Sequence, residues 1–161
     1  MKVLLFSSVL LSGLIAGLMY SYSCSVNIGL RVLQNNEYIK AMQSINRAIL
    51  NPYFFISFIG LLILYPVTAY RLYTNSPDIS FYLLLTATLF YFVGVFGITM
   101  LGNVPLNNLL DRFTVSNASP EEITGMRLAF EKPWNNYHTL RTVASIISFG
   151  LTILSLIKQK I

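Results

Sequence analysis

The fold is decided by residues 79 to 110, which read ISFYLLLTATLFYFVGVFGITMLGNVPLNNLL and carry no charged side chain across 32 positions. A bilayer core of about 30 Å needs roughly 20 apolar helical residues to cross it. At about 1.5 Å per residue this run would be about 48 Å long as a helix. We therefore expect a transmembrane helix over about residues 79–101, with a break or kink at Gly102 and Pro105.

Charge-free runs recur on both sides of this one. They predict three more transmembrane helices, at about residues 3–22, 53–73 and 137–157. Only 11% of the chain is charged, against about 25% in soluble domains, so a soluble globular protein is excluded. The sequence predicts an all-α fold, an integral membrane four-helix bundle that forms a single domain over residues 1–161.

Two connecting segments have helical patterns of their own. Between helices 1 and 2, the polar stretch from Arg31 to Ile49 repeats apolar residues at spacings of three and four, which predicts an amphipathic helix. Between helices 3 and 4, Ser119-Pro120-Glu121-Glu122 combines a serine cap, a proline in the first turn and a capping-box glutamate. That motif predicts a short helix, which we expect to end near Pro133.

The composition narrows the choice of partners. The net charge of +5 does not indicate nucleic acid, because the basic residues are scattered singly and suit helix ends facing lipid headgroups. The single cysteine, Cys24, excludes an internal disulfide, and the sequence predicts no metal site. The N-terminal apolar run resembles a signal peptide, but it exceeds the usual core of about 7–15 residues, which favours an uncleaved first helix.

The distribution of basic residues gives a prediction of orientation. The connections on the side of the termini are short and carry Lys2, Arg71, Lys158 and Lys160, whereas the long connections carry seven basic residues on much more chain. The number of basic residues favours a cytoplasmic location for the long loops. The number per length of chain, and Lys2 beside the first helix, favour a cytoplasmic location for the termini. Since the first helix usually dominates, we predict an inner (plasma) membrane protein of bacterial type with both termini cytoplasmic.

A polar stripe at the start of helix 4 is the main candidate for function. Trp134, His138, Arg141, Ser145 and Ser148 follow at spacings of 4, 3, 4 and 3 and share one helix face. One interpretation is an arginine that extends to headgroups beside an interfacial tryptophan. The other is a cluster facing the bundle interior, since ionisable groups in membrane segments usually face a cavity and find partners there. The lone histidine could act as acid or base near neutral pH.

Two further polar groups are expected at the same membrane face. Asn103 and Asn107 flank Pro105 in helix 3, and Gln43 and Asn46 lie on the amphipathic helix. Antiparallel alternation of the four helices puts both long connections on one side, so the groups can meet. The alternative interpretation is that the asparagines only satisfy the carbonyl that the proline leaves free.

Taken together these motifs resemble the anthrone oxygenase family. The resemblance rests on MQSIN at 42–46 followed by Asn51-Pro52, on NVPLN at 103–107, and on Trp134 with His138 and Arg141-Thr142. Fungal members oxidise polyketide anthrones to anthraquinones with O₂ and no evident cofactor. The resemblance implies a cofactor-independent monooxygenase acting on a hydrophobic phenolic or anthrone-like molecule.

The roles implied by this resemblance can be assigned residue by residue. His138 would be the catalytic base and Arg141 the oxyanion partner. Substrate-binding residues would be Trp134, packed on an aromatic ring, and four amides: Asn103, Asn107, Gln43 and Asn46. A different class of function stays open, namely a non-catalytic accessory or small-molecule-binding subunit that packs on a membrane protein partner, or on a second copy, through its glycine faces. A transporter would need oligomerisation to form a path.

Overall fold

The computed structural model describes residues 1–75 and 77–159, and within them the chain is helical without a β-strand. Five main helices follow one another: α1 (Lys2–Arg31), α2 (Asn35–Ala48), α3 (Pro52–Thr74), α4 (Ile79–Asp111) and α5 (Pro120–Lys158). All of these except α2 are long and apolar enough to cross a membrane. The predicted all-α four-helix membrane bundle is confirmed.

The outward faces of the four long helices are apolar. In the most hydrophobic window of each helix, between 22% and 33% of the residues are buried inside the protein. The remainder, such as Leu10, Ile63, Val93 and Ile146, point outward. Soluble proteins rarely expose so large an apolar surface to water. These faces therefore contact lipid, and the chain is an integral membrane protein.

Small residues allow α5 to pack closely against α1 and α4. A Cβ atom added to Gly94 of α4 would lie 2.5 Å from the Cβ atom of Ala144, and one added to Gly13 of α1 would lie 3.0 Å from the Phe149 ring. Such positions let membrane helices approach one another. Gly13 and Gly94 therefore serve packing within the chain.

The half of the bundle nearest the two termini, here the terminal half, is joined by buried hydroxyl groups. The Tyr65 hydroxyl lies 3.1 Å from Ser148 Oγ and 2.8 Å from Thr152 Oγ1. Ser80 and Ser155 each donate to the other's backbone carbonyl at 2.8 Å. These interhelical bonds, within the apolar core around Leu5, Leu61 and Leu84, fix α3 and α4 on α5.

In the opposite half, here the loop half, α2 covers the ends of α4 and α5. Its buried side chains Tyr38, Ile39 and Met42 form a second apolar cluster with Leu110, Phe130 and Trp134. Arg127 of α5 fastens the α1–α2 connection by donating to the carbonyls of Arg31 and Leu33 at 2.9 and 2.7 Å. Its guanidinium also lies 4.4 Å from the centroid of the Tyr38 ring. Burial raises the pKa of Tyr38 above its ordinary value, and nearby Glu131 adds to this.

The helices differ from the predicted boundaries in three places. The short helix does not end near Pro133 but continues into the fourth transmembrane helix as α5, because a proline removes one backbone hydrogen bond while the flanking turns continue. Of the break or kink expected at Gly102 and Pro105, the break is wrong: α4 runs on to Asp111 through π-helical turns at Phe90–Gly97 and Thr99–Asn103. Helix α1 extends beyond Tyr22 to Arg31 through a third π-helical segment.

Candidate functional site

The polar stripe of α5 is buried in the loop half. Trp134 and His138 are each 2% exposed and Arg141 is 9% exposed. The Trp134 and His138 rings stack with centroids 5.1 Å apart and planes 11° apart, and the Arg141 guanidinium lies 5.2 Å from the Trp134 ring. The interpretation of Arg141 as a residue that reaches headgroups is wrong, because this side chain is packed inside the bundle.

The hydrogen bonds of His138 define which ring nitrogen carries the proton. Nη2 of Arg141 lies 3.3 Å from Nδ1 of His138. A guanidinium can only donate, so Nδ1 is the acceptor and a neutral ring carries its proton on Nε2. That nitrogen lies 3.0 Å from Ser23 Oγ on α1 and 3.4 Å from Thr142 Oγ1. The imidazole thus links Arg141 to α1.

The two asparagines of α4 bind Trp134. Nδ2 of Asn103 donates to the Trp134 carbonyl at 3.1 Å, and the Trp134 indole N–H donates to Oδ1 of Asn107 at 2.8 Å. Asn103 therefore holds the Trp134 backbone and Asn107 holds its indole, and among the described residues neither forms a hydrogen bond to His138 or Arg141. The polar groups of α4 and α5 thus meet at Trp134, whose ring stacks on His138; direct contact of the asparagines with His138 and Arg141 stays a prediction.

The amides of α2 have different surroundings. Nε2 of Gln43 donates to the carbonyls of Leu110 and Phe113, both at 2.8 Å, and so closes the C-terminal end of α4. Nδ2 of Asn46 is buried and has no hydrogen-bond partner among the described residues. After α2, Asn51 caps the start of α3, and its Oδ1 accepts from the Phe54 N–H at 3.1 Å.

π-helical turns occur on two of the helices that contribute to this site. Tyr22 and Ser23 lie in the π-helical segment Tyr22–Val26 of α1, and Thr99 and Asn103 lie in the segment Thr99–Asn103 of α4. A π-turn inserts a residue into the helical register and often occurs at functional sites. Here the turns bring Ser23 to His138 and Thr99 to Arg141, whose Nη1 donates to Thr99 Oγ1 at 3.3 Å.

A cavity of about 350 Å³ opens beside the cluster, between α1, the α2–α3 junction, α4 and α5. This volume falls at the small end of the range for ligand pockets, about 300–1,000 Å³. Its walls are mostly apolar, with Met19, Phe54, Phe58, Met100 and Val104 among them. The polar groups facing it include Tyr22, Asn46, Thr99, Asn107, Trp134 and Arg141. The cavity has the composition of a site for a small hydrophobic molecule with a few polar atoms.

The two ends of the cavity differ in charge. One end carries the ion pair between Arg47 and Asp111, 2.6 Å long, whose side chains are 65% and 48% exposed. The other end carries Arg141, which is only 9% exposed. No carboxylate of residues 1–75 or 77–159 forms an ion pair with Arg141. The buried end of the cavity is therefore positively charged.

The predicted site residues divide into two groups. Arg141, Trp134, Asn107 and Asn46 line the cavity, whereas His138, Asn103 and Gln43 lie behind its walls and hold them.

Sequence reasoning missed four polar lining residues: Tyr22, Thr99, Asn108 and Asp111. A signal for part of this set was present, because Thr99, Asn103, Asn107 and Asp111 recur every four residues along an otherwise apolar helix.

This protein is thus a four-helix membrane bundle with a ligand-sized cavity beside a buried arginine. The model of the anthrone oxygenase family matches residues 54–151, more than half of the chain and including every candidate residue of α4 and α5. The chain belongs to the anthrone oxygenase family. No curated protein and no solved structure matches it.

Proposed function

We propose that this protein is a cofactor-independent monooxygenase that oxidises a hydrophobic phenolic or anthrone-like molecule with O₂ inside the cavity of the loop half. Membership of the anthrone oxygenase family supports the type of reaction. The apolar walls and the volume of the cavity support a small aromatic substrate that arrives from the bilayer.

One observation carries the proposal: Arg141 is a buried cation, faces the cavity and forms no ion pair with a carboxylate of the described residues. An arginine at the centre of a bilayer costs at least about 2.5–3.5 kcal/mol and less near the interface, and such residues mark functional sites. On an α-helix, Arg141 lies about 26 Å from Lys158, which puts it in the membrane-spanning part of α5, towards the loop half. A substrate oxygen that becomes negative during reaction would meet this charge.

The reaction requires a proton acceptor and a stabiliser of negative charge. The C–H proton of the substrate methylene leaves, and the electron pair forms a C–O bond to one atom of O₂. The resulting peroxide takes up a proton and then loses water as its O–O bond breaks, which leaves a carbonyl at that carbon. One substrate and one O₂ give one quinone and one water.

Each candidate residue has a defined part in this proposal. Arg141 stabilises the oxyanion formed when the proton leaves. His138 is the proposed proton acceptor: it lies behind the cavity wall with its Nδ1 3.3 Å from Arg141 Nη2, so it receives the substrate proton once that guanidinium has turned to the substrate oxygen and uncovered Nδ1. Trp134 packs on the substrate ring, with Asn107 bonded to its indole N–H. Asn103 and Gln43 hold the walls.

The test is O₂ consumption by the purified protein in detergent or lipid nanodiscs, with anthrones as substrates, since they carry the methylene group that the proposed step oxidises. We expect O₂ uptake above the spontaneous rate, with one quinone formed for each O₂. A matched protein control is Tyr65→Phe, which alters the terminal half and leaves the cavity unchanged. If no such substrate increases O₂ uptake by the wild type, the oxygenase proposal fails and the accessory-subunit interpretation replaces it.

We also propose that both termini face the cytoplasm of a bacterial cell. Four spans bring the termini to one side, and the basic residues Lys2, Arg71 and Lys158 lie on that side on short segments; Lys160, also part of the prediction, is outside the described residues. In a Cys24→Ser background, a cysteine at Gln159 should resist an impermeant thiol reagent in intact cells and react after lysis. Labelling of this cysteine before lysis would show that the termini face the outside of the cell.

A further inference from the structure

Two hydrogen-bond donors at the cavity have no acceptor. Nε of Arg141 and Nδ2 of Asn46 are both buried, and neither has a hydrogen-bond partner among the described residues. Arg141 and Asn46 both line the cavity, one from α5 and the other from α2. An unsatisfied buried donor costs about 1–3 kcal/mol, and more when it is charged, so both groups gain from an acceptor on a ligand.

Three of the other polar groups of the cavity are already engaged. Oδ1 of Asn107 accepts from the Trp134 indole, Thr99 donates to the Val95 carbonyl, and Asp111 pairs with Arg47. The buried part of the cavity therefore offers donors to a ligand and few acceptors. A ligand rich in carbonyl or phenolate oxygens fits this arrangement, whereas one bearing ammonium or amide N–H groups does not.

We infer that the cavity selects aromatic ligands by the number of their ring-bound acceptor oxygens, with Asn46 as a specificity-determining residue, so that a quinone with two carbonyls binds more tightly than the single-carbonyl substrate. This inference rests on the proposed function, since it concerns the same cavity. It makes the quinone product a competitor of the substrate. It also gives α2 a direct part in ligand selection, because Asn46 reaches the cavity from this helix.

The chain provides its own reporter of binding. Trp134 is the only tryptophan, and it lines the cavity, so quenching of its fluorescence measures occupancy near this site. The probes are anthracene, anthrone under anaerobic conditions and anthraquinone, which share a three-ring frame and carry no, one and two carbonyl oxygens. The variants are Asn46→Asp, similar in size but without the N–H donors, and Asn46→Leu. The matched control is Asn108→Leu, at an exposed asparagine that lines the same cavity.

We expect wild-type affinity to increase from anthracene to anthrone to anthraquinone. Both Asn46 variants should weaken anthraquinone binding roughly two- to tenfold, as expected for one hydrogen bond, and leave anthracene binding unchanged. Asn108→Leu should retain the wild-type order. Equal affinity for the three probes in the wild type, or equal effects at Asn46 and Asn108, would overturn the inference.

The binding experiment is independent of turnover. A protein that binds in the expected order but consumes no O₂ would remove the proposed oxygenase activity and keep the inference. A protein that consumes O₂ but binds the three probes with equal affinity would support the oxygenase proposal and overturn the inference about ligand selection.

Discussion

The terminal half and the loop half of this bundle use buried polar groups in opposite ways. In the terminal half, Tyr65, Ser148 and Thr152 satisfy one another across helices, and Ser80 and Ser155 do the same. In the loop half, Arg141 and Asn46 leave donors without acceptors beside a cavity.

The difference separates scaffold from site. Interhelical hydrogen bonds whose donors and acceptors all belong to the protein hold helices together in lipid, where the hydrophobic effect contributes little to helix association. Donors left without partners destabilise the empty protein and are useful only when a ligand supplies acceptors. By this criterion the loop half is built to bind, and the terminal half is built to support it.

From the comparison of the two halves, we expect the largest loss of activity when His138 in the loop half is replaced. Replacement by Ala should lower kcat for O₂ uptake by about 10²–10⁴-fold, the usual contribution of a proton acceptor. His138→Gln, which can still accept a hydrogen bond from Arg141, is the matched control. Unlike His138→Ala, the His138→Gln variant should keep Arg141 in its wild-type position, yet it should remain as inactive as His138→Ala. If His138→Gln recovers turnover, His138 only positions Arg141.

The next effect concerns Arg141. Replacement by Ala should reduce kcat by about 10²–10³-fold, as expected for loss of an oxyanion partner, while the protein still accumulates in the membrane. The measurements are O₂ uptake and the amount of folded protein by size-exclusion chromatography. If Arg141→Ala instead fails to accumulate, the arginine belongs to the scaffold and the proposed division between the halves is wrong.

The smallest effect belongs to the terminal half. Tyr65→Phe removes the hydroxyl that bonds to Ser148 and Thr152 and should lower the free energy of unfolding by about 0.6–1.7 kcal/mol, the range measured for polar contacts between membrane helices. Turnover should stay at the wild-type value. Unfolding in detergent mixtures gives the stability, and a fall in kcat comparable to that of Arg141→Ala would contradict the comparison.

Much of the fold could be predicted because lipid imposes a simple rule on composition. Long runs without charge marked each crossing, and the capping motif at Ser119 marked the start of α5, where both reciprocal hydrogen bonds of the capping box are present. Proline and glycine residues were less informative about where helices end. Pro133 and Pro105 lie within continuous helices, and Gly102 serves close packing, since a Cβ atom there would lie 2.6 Å from the Tyr137 ring.

The site was predictable only in part. The spacing of Trp134, His138 and Arg141 predicted that they share one face of a helix, because that pattern depends on a single helix, but it left open whether this face is buried. Whether each side chain faces the cavity depends on how five helices meet and on π-turns, which leave no clear signal in composition. For this reason Thr99 and Tyr22 were missed, and Gln43 was predicted to bind substrate although it closes the end of α4. The catalytic and binding roles themselves stay predictions.

The most direct test of the central claim is an experimental structure of the protein in nanodiscs with anthraquinone added. We predict ligand density within the cavity of the loop half, with a carbonyl oxygen in hydrogen-bond distance of Arg141 Nε or Asn46 Nδ2 and the ring beside Trp134. Density only on the lipid-facing surface, or a loop half in which both donors bond to protein carbonyls and the cavity is closed, would contradict the account.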